Sequence, residues 1–244
     1  MNLENREKNY QLLKDIPIDE IYVINMKKDV KRKEDTVKTF EKYQVQNLCV
    51  KKSYTIYEAH DWTNKESPRD FRGPRNGGAY GCLMSHLGCI DNAIADNHEI
   101  VMICEDDLMF HRDFQNIWNN TYIPKCWELL YLSSTQLKWD NVVQTKPYNS
   151  FYVAKKSLGG TCYILKKHMY NVVKNLYSIH RKPIDELLII AQEKHLGFVL
   201  YPNLCINYMN VSNIRKNNTW KIETTGKRLR WDIERYDQSI ILDT

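Results

Sequence analysis

A chain of 244 residues is long enough to form one large α/β domain. Hydrophobic residues make up 43% and charged residues 27%, with only 9 Gly and 7 Pro, and this composition excludes a disordered or fibrous protein. The formal net charge of +5 is mild, so it suits a polyanionic ligand without requiring one.

The predicted elements follow one another as short apolar strands and amphipathic helices. Strands are predicted at 21–24, 48–50, 99–104, 127–132, 151–153, 161–165 and 197–201, and helices at 33–43, 79–95, 114–119, 168–177 and 184–195. A long polar loop is predicted at 60–78, and a turn at Gly159 and Gly160. Strands that alternate with helices predict an α/β domain, with a mostly parallel central sheet flanked by helices.

Two changes in composition divide the chain. Residues 1–19 are predicted to be a polar N-terminal extension, residues 20–214 the α/β domain, and residues 215–244 a basic and aromatic tail that packs on or near the site. Six basic residues oppose one acid between Arg215 and Trp231. This run is short and no nucleic-acid-binding motif accompanies it, so we expect no nucleic-acid partner.

The seven cysteines lie mostly among apolar residues and none belongs to a CxxC pair. We therefore expect buried thiols in a reducing compartment rather than a disulfide framework or a zinc site. The first 19 residues lack the apolar core of a signal peptide, and no apolar stretch approaches the roughly 20 residues that span a bilayer. The expectation is a cytoplasmic protein, with peripheral membrane association left open.

The acidic cluster Glu105, Asp106 and Asp107 directly follows the strongest predicted strand. Ligands bind open α/β sheets beyond the carboxyl ends of the strands, which is where this cluster is expected. Alternate residues of an extended segment face the same way, so Glu105 and Asp107 share one side and Asp106 faces the other. Neighbouring carboxylates repel unless a cation or proton intervenes, and their hard oxygen atoms suit Mn²⁺ or Mg²⁺. The alternative is a solvated loop that happens to begin with three acids.

Several further segments, taken in order over residues 20–214, resemble glycosyltransferase family 25. They are Val23-Ile24-Asn25 with Arg32-Lys33-Glu34, Gly78 to His86 (Gly-x-x-Gly-Cys-x-x-Ser-His), the acidic cluster after its strand, Trp127 to Leu132, Leu158 to Tyr163, Pro183-Ile184-Asp185-Glu186, Tyr201-Pro202, and Ser212-Asn213-Ile214. Ala79 and Asn213 depart from the family pattern, which usually has an acid near the first position and at the second. These departures concern acceptor choice more than donor chemistry.

The resemblance implies a GT-A fold, a UDP-galactose or UDP-glucose donor, a requirement for Mn²⁺ (or Mg²⁺) and inversion at the anomeric carbon. The acceptor implied is a hydroxyl group on a glycan or a hydroxylysine. One alternative is a catalytically weak nucleotide-sugar-binding protein of the same fold. The sequence leaves the sugar, the acceptor and the oligomeric state open.

Within this family frame, Glu105 and Asp107 are expected to share the metal ion with the diphosphate of the donor. Asp185 is expected to be the general base, with Glu186 in reserve. Because Asp185 follows Pro183 at a predicted helix N-terminus, the helix dipole predicts a lowered carboxyl pKa. An ordinary first-turn acid is the alternative for Asp185.

The expected donor pocket combines backbone, charged and small residues. Arg32 can contact the pyrophosphate with its planar guanidinium group, or it can be a solvated charge on a helix. His86 can be a donor-site residue or a structural residue. The strand glycine of this pocket permits close approach of the backbone to the sugar. The residues expected to bind the donor are Val23, Asn25, Arg32, Gly81, Ser85, His86, Asp106 and Gly160.

Overall fold

A computed structural model describes residues 8–136, 151–207, 229 and 231–239 of the protein. In chain order the strands are β1 (Tyr10–Leu12), β2 (Glu20–Asn25), β3 (Thr55–Glu58), β4 (Ile100–Glu105), β5 (Leu108–Phe110), β6 (Tyr122–Pro124), β7 (Leu129–Gln136), β8 (Phe151–Val153), β9 (Ser157–Lys166), β10 (Gly197–Leu200) and β11 (Cys205–Asn207). The helices are α1 (Val30–Tyr43), α2 (Gly78–Ala95), α3 (Phe114–Asn120), α4 (His168–His180) and α5 (Ile184–Ala191).

The main sheet has seven strands in the order β3-β2-β4-β9-β7-β10-β8. Strand β2 is parallel to both β3 and β4, and β7 is parallel to β10. Strand β9 lies antiparallel between β4 and β7, and β8 is antiparallel at one edge. Five strands therefore run the same way, and the predicted α/β class with a mostly parallel, helix-flanked sheet is confirmed.

Both faces of the sheet are buried. In β4, Met102 and Cys104 pack in one hydrophobic core with α1 and α3, whereas Val101 and Ile103 pack in the other with α2, α4 and α5. A strand covered on both faces needs apolar side chains at every position rather than at alternate ones. This requirement accounts for the continuous apolar run that made β4 the clearest strand in the sequence.

Two predicted elements were placed wrongly. Residues 48–50 are not a strand of the sheet, since a 3-10 turn spans Val45–Leu48 and Cys49 forms only an isolated bridge. The second parallel strand is β3 instead, whose side chains are half-exposed or exposed at the sheet edge. Gly159 and Gly160 do not form a turn but lie within β9, and the chain reverses near Lys156, whose φ is 52°.

The domain boundaries also differ from the prediction. Residues from Tyr10 onward belong to the fold, since β1 pairs with β6 and Leu13 and Ile18 are fully buried. In the tail, Leu229 and residues 231–239 pack on β5 and β11. Ser212-Asn213-Ile214, Trp220 and the basic cluster of residues 215–228 lie outside the described residues.

The structure bears on two further features of the sequence, the cysteine thiols and the lack of a long apolar stretch. The cysteines are all free thiols, and five of them are buried as expected, whereas Cys126 is exposed and Cys82 is half-buried. Within the described part of the chain, no helix combines the length and apolar character needed to cross a membrane.

Candidate functional site

A cleft opens at the carboxyl ends of β2 and β4, where the alternation of strands and helices predicted a site. It contains about 660 Å³ of space, part of which is open solvent. Its walls come from β2, α1, the loop of residues 59–63, α2 and the acidic cluster. The lining residues are Ile24, Met26, Arg32, Ala59, His60, Trp62, Thr63, Gly78, Cys82, Ser85, Glu105, Asp106 and Asp107.

Asp106 is locked by three neighbours. Asn25 donates a hydrogen bond from Nδ2 to its Oδ2 at 2.6 Å, and Arg32 forms an ion pair with Oδ1. Thr36 donates from Oγ1 to its backbone carbonyl at 2.9 Å. Burial raises the pKa of Asp106, and the charge of Arg32 opposes that rise. Both carboxylate oxygens thus have protein partners, so Asp106 and Asn25 organise the acidic cluster, and their expected contact with the donor stays a prediction.

Asp107 is the least satisfied acid of the cluster. Its Oδ2 lies 3.4 Å from the Arg32 guanidinium, whereas its buried Oδ1 has no hydrogen-bond partner among the described residues. Burial, aided by the charge of Glu105, raises the pKa of Asp107 to about 7. A buried carboxylate oxygen without a partner is costly, so this atom is suited to binding a proton or a cation.

Glu105 faces the same cleft as Asp107, whereas Asp106, which strand alternation placed on the opposite side, lines this cleft too, because β4 ends at Glu105. Its Oε1 lies 3.5 Å from His86 Nε2 and 3.5 Å from Cys82 Sγ. Burial favours the neutral acid, but His86, Cys82 and the charge of Arg32 outweigh it and hold the pKa of Glu105 below its ordinary value. The two carboxyl groups therefore differ, since Glu105 is ionised under conditions in which Asp107 still binds a proton.

His86 is a buried bridge behind Glu105. Its Nδ1 lies 2.9 Å from the Tyr163 hydroxyl, and the two rings stack with centroids 5.7 Å apart. Cys82 stands beside it and was missed in the sequence, although the spacing of Cys82 and His86 places them on one helix face. The predicted donor-site role of His86 is untested, and the structure places it against Glu105.

Ser85 and Gly81 hold the wall of the cleft. Ser85 Oγ accepts a hydrogen bond from His60 N at 2.9 Å and donates one to Gly81 O at 2.8 Å. Any side chain at position 81 would collide with the carbonyl of His60. These contacts hold residues 59–63 against α2. Trp62 and Thr63 of this segment line the cleft. The sequence did not identify them, because loop residues have no periodic pattern.

Val23 occupies a different place from the one expected of a pocket residue. Its side chain is fully buried in the core, whereas Ile24 lines the cleft. The reason is strand alternation, which turns neighbouring side chains of β2 toward opposite faces. The Val23 side chain does not line the cleft, and the predicted place of this residue in the donor pocket stays a prediction.

Asp185 lies in the first turn of α5, at the predicted helix N-terminus, but its pKa shifts in the opposite direction from the prediction. Its Oδ1 accepts a hydrogen bond from Glu186 N at 3.0 Å. Burial nevertheless raises the pKa of Asp185, with a further rise from the charges of Glu186 and Glu105. The predicted lowering by the helix dipole is thus wrong, because burial outweighs it. Glu186 instead pairs with Lys182 at 2.7 Å on a partly exposed surface.

Gly160 connects α5 with the acidic cluster. A β-carbon built on Gly160 would lie 3.4 Å from Ile184 Cγ2, 3.8 Å from His86 Nε2 and 3.9 Å from Glu105 Oε1. The bare backbone of β9 at this residue therefore borders Glu105 on one side and the start of α5 on the other. This placement supports the prediction of close backbone approach at Gly160, and a bound sugar would be needed to test it.

Comparisons with known proteins agree on one family. The model of glycosyltransferase family 25 (LPS biosynthesis protein) matches residues 18–188. The chain is 25% identical over 193 residues to Procollagen galactosyltransferase 1-B of Xenopus laevis, covering 72% of this chain and 31% of that protein. It is 25% identical over 171 residues to the Lipooligosaccharide biosynthesis protein lex-1 of Haemophilus influenzae, covering 61% of this chain and 54% of that protein.

A third relative, the Inactive glycosyltransferase 25 family member 3 of Mus musculus, is 26% identical over 124 residues, covering 48% of this chain and 21% of that protein. The chain thus spans only part of the length of each of these relatives. The family match itself extends from before β2 to the middle of α5 and includes every residue that lines the cleft. On this evidence the chain belongs to glycosyltransferase family 25, which supports a function in glycosyl transfer.

Proposed function

We propose that the protein transfers galactose or glucose from a UDP-sugar to an acceptor hydroxyl group, with inversion at the anomeric carbon and with Mn²⁺ or Mg²⁺ as cofactor. The observation that carries the proposal is the pair of cleft-facing carboxylates, Glu105 and Asp107, at the carboxyl end of β4. Family membership supports the reaction class, and the side chains of the cleft support the finer assignment.

Glu105 and Asp107 fit a hard divalent cation. The buried Oδ1 of Asp107 has no partner among the described residues, and the Glu105 side chain is 28% exposed toward the cleft. Carboxylate oxygens are the ligands that Mn²⁺ and Mg²⁺ prefer, and two such ligands leave other positions for phosphate oxygens. The cation would supply charge neutralisation for the departing diphosphate.

The donor would lie between the acidic cluster and residues 59–63. Arg32 is 27% exposed beside Asp106 and Asp107, so its guanidinium is placed to approach a phosphate oxygen from the same side. Trp62, Ile24 and Met26 offer an apolar wall for the nucleoside base. Gly160 leaves room for the sugar next to Glu105.

Asp185 is the proposed general base. It would accept the proton of the acceptor hydroxyl while the new bond forms between that oxygen and the anomeric carbon and the bond to the diphosphate breaks, releasing UDP. Its burial makes it a stronger base than a solvated carboxylate, because the raised pKa favours proton capture. Glu186 stays in reserve, although its pairing with Lys182 directs it elsewhere.

The acceptor is proposed to be a glycan or a hydroxylysine. The two candidates follow from the relatives, one named for procollagen galactosyl transfer and one for lipooligosaccharide biosynthesis. For the location of the protein we keep the cytoplasm as the proposal, with peripheral contact to a membrane when the acceptor is a lipid-linked glycan.

A panel of UDP-sugars with Mn²⁺ or with EDTA tests the proposal through the release of UDP. We expect slow hydrolysis of one UDP-hexose that depends on the cation and accelerates with the right acceptor. Release that is equal in EDTA would refute the metal assignment, and release from no UDP-sugar would refute the enzyme.

A catalytically weak sugar-nucleotide-binding protein is the second candidate, because one relative is named as inactive. Binding of UDP in the presence of Mn²⁺ without any turnover would favour it. The presence of Glu105, Asp107 and Asp185 in this chain favours the enzyme.

A further inference from the structure

A second group of side chains that can bind a metal ion lies at the opposite ends of the sheet strands from the cleft. It consists of Glu128, His168 and His195, which we call the distal cluster. Glu128 directly precedes β7, and β7 runs in the same direction as β4 because both are antiparallel to β9. The distal cluster therefore lies at the amino ends of the strands, whereas Glu105 lies at a carboxyl end.

The three side chains of the distal cluster converge on one point. Glu128 Oε1 lies 2.6 Å from His168 Nε2 and 3.3 Å from His195 Nδ1, and the three ligand atoms all lie within 4.8 Å of one another. The side chain of His168 is 48% exposed and the other two are 25% exposed, so an ion can enter from solvent. Two imidazoles and one carboxylate form a common protein donor set for Zn²⁺, with water in the fourth position.

The backbone around the distal cluster fixes the carboxylate in place. Leu196 N donates a hydrogen bond to Glu128 Oε2 at 2.6 Å, and Glu128 N donates to Leu196 O at 2.9 Å. Lys166 N donates to Glu128 O at 3.2 Å, and His195 N donates to Ala191 O at 2.9 Å. The second carboxylate oxygen is therefore held by the backbone, while Oε1 is turned toward both histidines.

We propose that the distal cluster is a binding site for one Zn²⁺ or a similar borderline cation, separate from the catalytic cleft. Bonds of about 2.0–2.1 Å in a tetrahedral site separate the ligand atoms by about 3.3 Å. The atoms of Glu128 and His195 already have this spacing. His168 would have to move by about 0.7 Å, a small rotation for a half-exposed side chain. Bound there, the cation would join the start of β7, the start of α4 and the segment after α5.

The competing explanation is that both imidazoles donate N–H bonds to Glu128 and bind no metal. Protein without an affinity tag, in a Glu105→Gln/Asp107→Asn background that removes the two carboxylates proposed to bind the catalytic cation, separates the two explanations. Zn²⁺ is titrated against a chromogenic chelator, and thermal unfolding is followed in parallel. We expect about one bound Zn²⁺ and a higher unfolding temperature, since a ligand of the folded state stabilises it.

His168→Ala and His195→Ala should each lower the Zn²⁺ affinity at least about tenfold, the smallest loss seen even for outer-shell changes at metal sites. Each should also remove the rise in unfolding temperature. The matched control is His180→Ala, at the far end of α4, which should keep both. Circular dichroism without metal verifies that the variants fold. Equal affinity in all four proteins, or no Zn²⁺ bound by the background protein, would overturn the proposal.

Discussion

Arg32 has a central position among the charged side chains of the cleft. It contacts Asp29 at 3.8 Å and Asp107 at 3.4 Å in addition to its ion pair with Asp106. One guanidinium thus organises acids from both the start of α1 and the end of β4. A solvated helix charge was the alternative interpretation of Arg32, and these contacts favour an organising role instead.

If Asp107 binds the catalytic cation as proposed, Asp107→Asn should lower turnover with a UDP-sugar at least about 100-fold, because loss of a metal ligand costs several kcal/mol of transition-state stabilisation. The free energy of unfolding without metal should stay the same or rise, since a carboxylate next to Glu105 is removed. UDP release and urea unfolding measure the two effects. Asp91→Asn, which changes an exposed acid paired with Lys174, is the control. Full activity of Asp107→Asn would contradict the assignment.

Asp185→Asn should lower transfer to the acceptor about 100- to 10,000-fold while binding of UDP with Mn²⁺ persists. Because burial raises the pKa of Asp185, the acidic limb of the rate profile should lie at higher pH than for an ordinary aspartate. The base acts only when deprotonated, so activity falls as pH drops through that value. Asp185→Asn with wild-type transfer would exclude it, and loss in Glu186→Gln alone would move the role to Glu186.

At the scale of elements, the two adjacent glycines of β9 have different surroundings. A β-carbon on Gly159 would lie 2.7 Å from the Tyr131 ring and 2.9 Å from Ser133 O, closer than packing allows. A β-carbon on Gly160 meets its nearest neighbour at 3.4 Å, which is ordinary contact. The first glycine therefore serves packing inside the sheet, whereas the second brings the backbone of β9 next to Glu105 without such a tight contact.

This difference gives a matched pair of variants. Gly159→Ala should lower the free energy of unfolding by about 1–3 kcal/mol, the usual cost of overpacking. Gly160→Ala should change it by less than about 0.5 kcal/mol but raise KM for the UDP-sugar, since the methyl group would lie next to Glu105. Urea unfolding and initial rates separate the two. A Gly160→Ala protein with wild-type kinetics would show that the sugar does not approach this residue.

The elements that the sequence predicted well are those whose burial leaves a clear pattern. Strand β4 is buried on both faces and α2 has regular apolar spacing, so both were predicted within a residue or two. Edge strand β3 was missed because its half-exposed side chains lack an apolar run. The glycines of β9 resembled a turn, since glycine that serves close packing has the same local signal as glycine that serves a bend.

At the site, the sequence predicted which acidic residues lie together, but not which side chains contact them or how burial shifts their pKa values. The order of strand and acidic residues was enough to place Glu105 and Asp107 in one cleft. The role of Cys82, the burial that raises the pKa of Asp185 and the inward turn of Val23 depend on tertiary contacts. Such contacts join residues far apart in the chain, so local patterns carry little information about them.

At the scale of the whole molecule, the C-terminal segment is fastened to the domain. Asp237 forms an ion pair with Lys42 and accepts a hydrogen bond from the Tyr43 hydroxyl at 3.0 Å. Its backbone N–H donates to Phe110 O at 2.9 Å, and Tyr236 donates to Asn203 O at 2.9 Å. Tyr236 and Asp237 thus bind the C-terminal segment to α1, β5 and the segment before β11. Whether the tail approaches the cleft stays a prediction.

Burial opposes ionisation of Asp237, but hydrogen bonds from Lys42, Ser239 and Tyr43 outweigh it and lower its pKa to about 2. An acid with a lowered folded-state pKa adds stability above the unfolded value, and this stability is lost as pH falls from about 4 to about 2. Asp237→Asn should therefore cost about 1–2 kcal/mol at pH 7 and much less near pH 2.5. Urea unfolding across this range measures the difference, with the exposed Asp232→Asn as control. A cost that does not vary with pH would contradict the ion-pair account.

The attachment of residues 59–63 to α2 has a consequence for how the cleft is assembled. The acids at the end of β4 belong to the central sheet, whereas residues 59–63 are held to α2 through Ser85 and the close contact at Gly81. Opening of this short segment would break these contacts and the packing of the Trp62 ring on Tyr80, and it would leave the sheet intact. The two halves of the cleft therefore differ in local stability. A partly opened molecule would lose the Trp62 side of the cleft first and keep its carboxylates in position, so that the segment can close on them again.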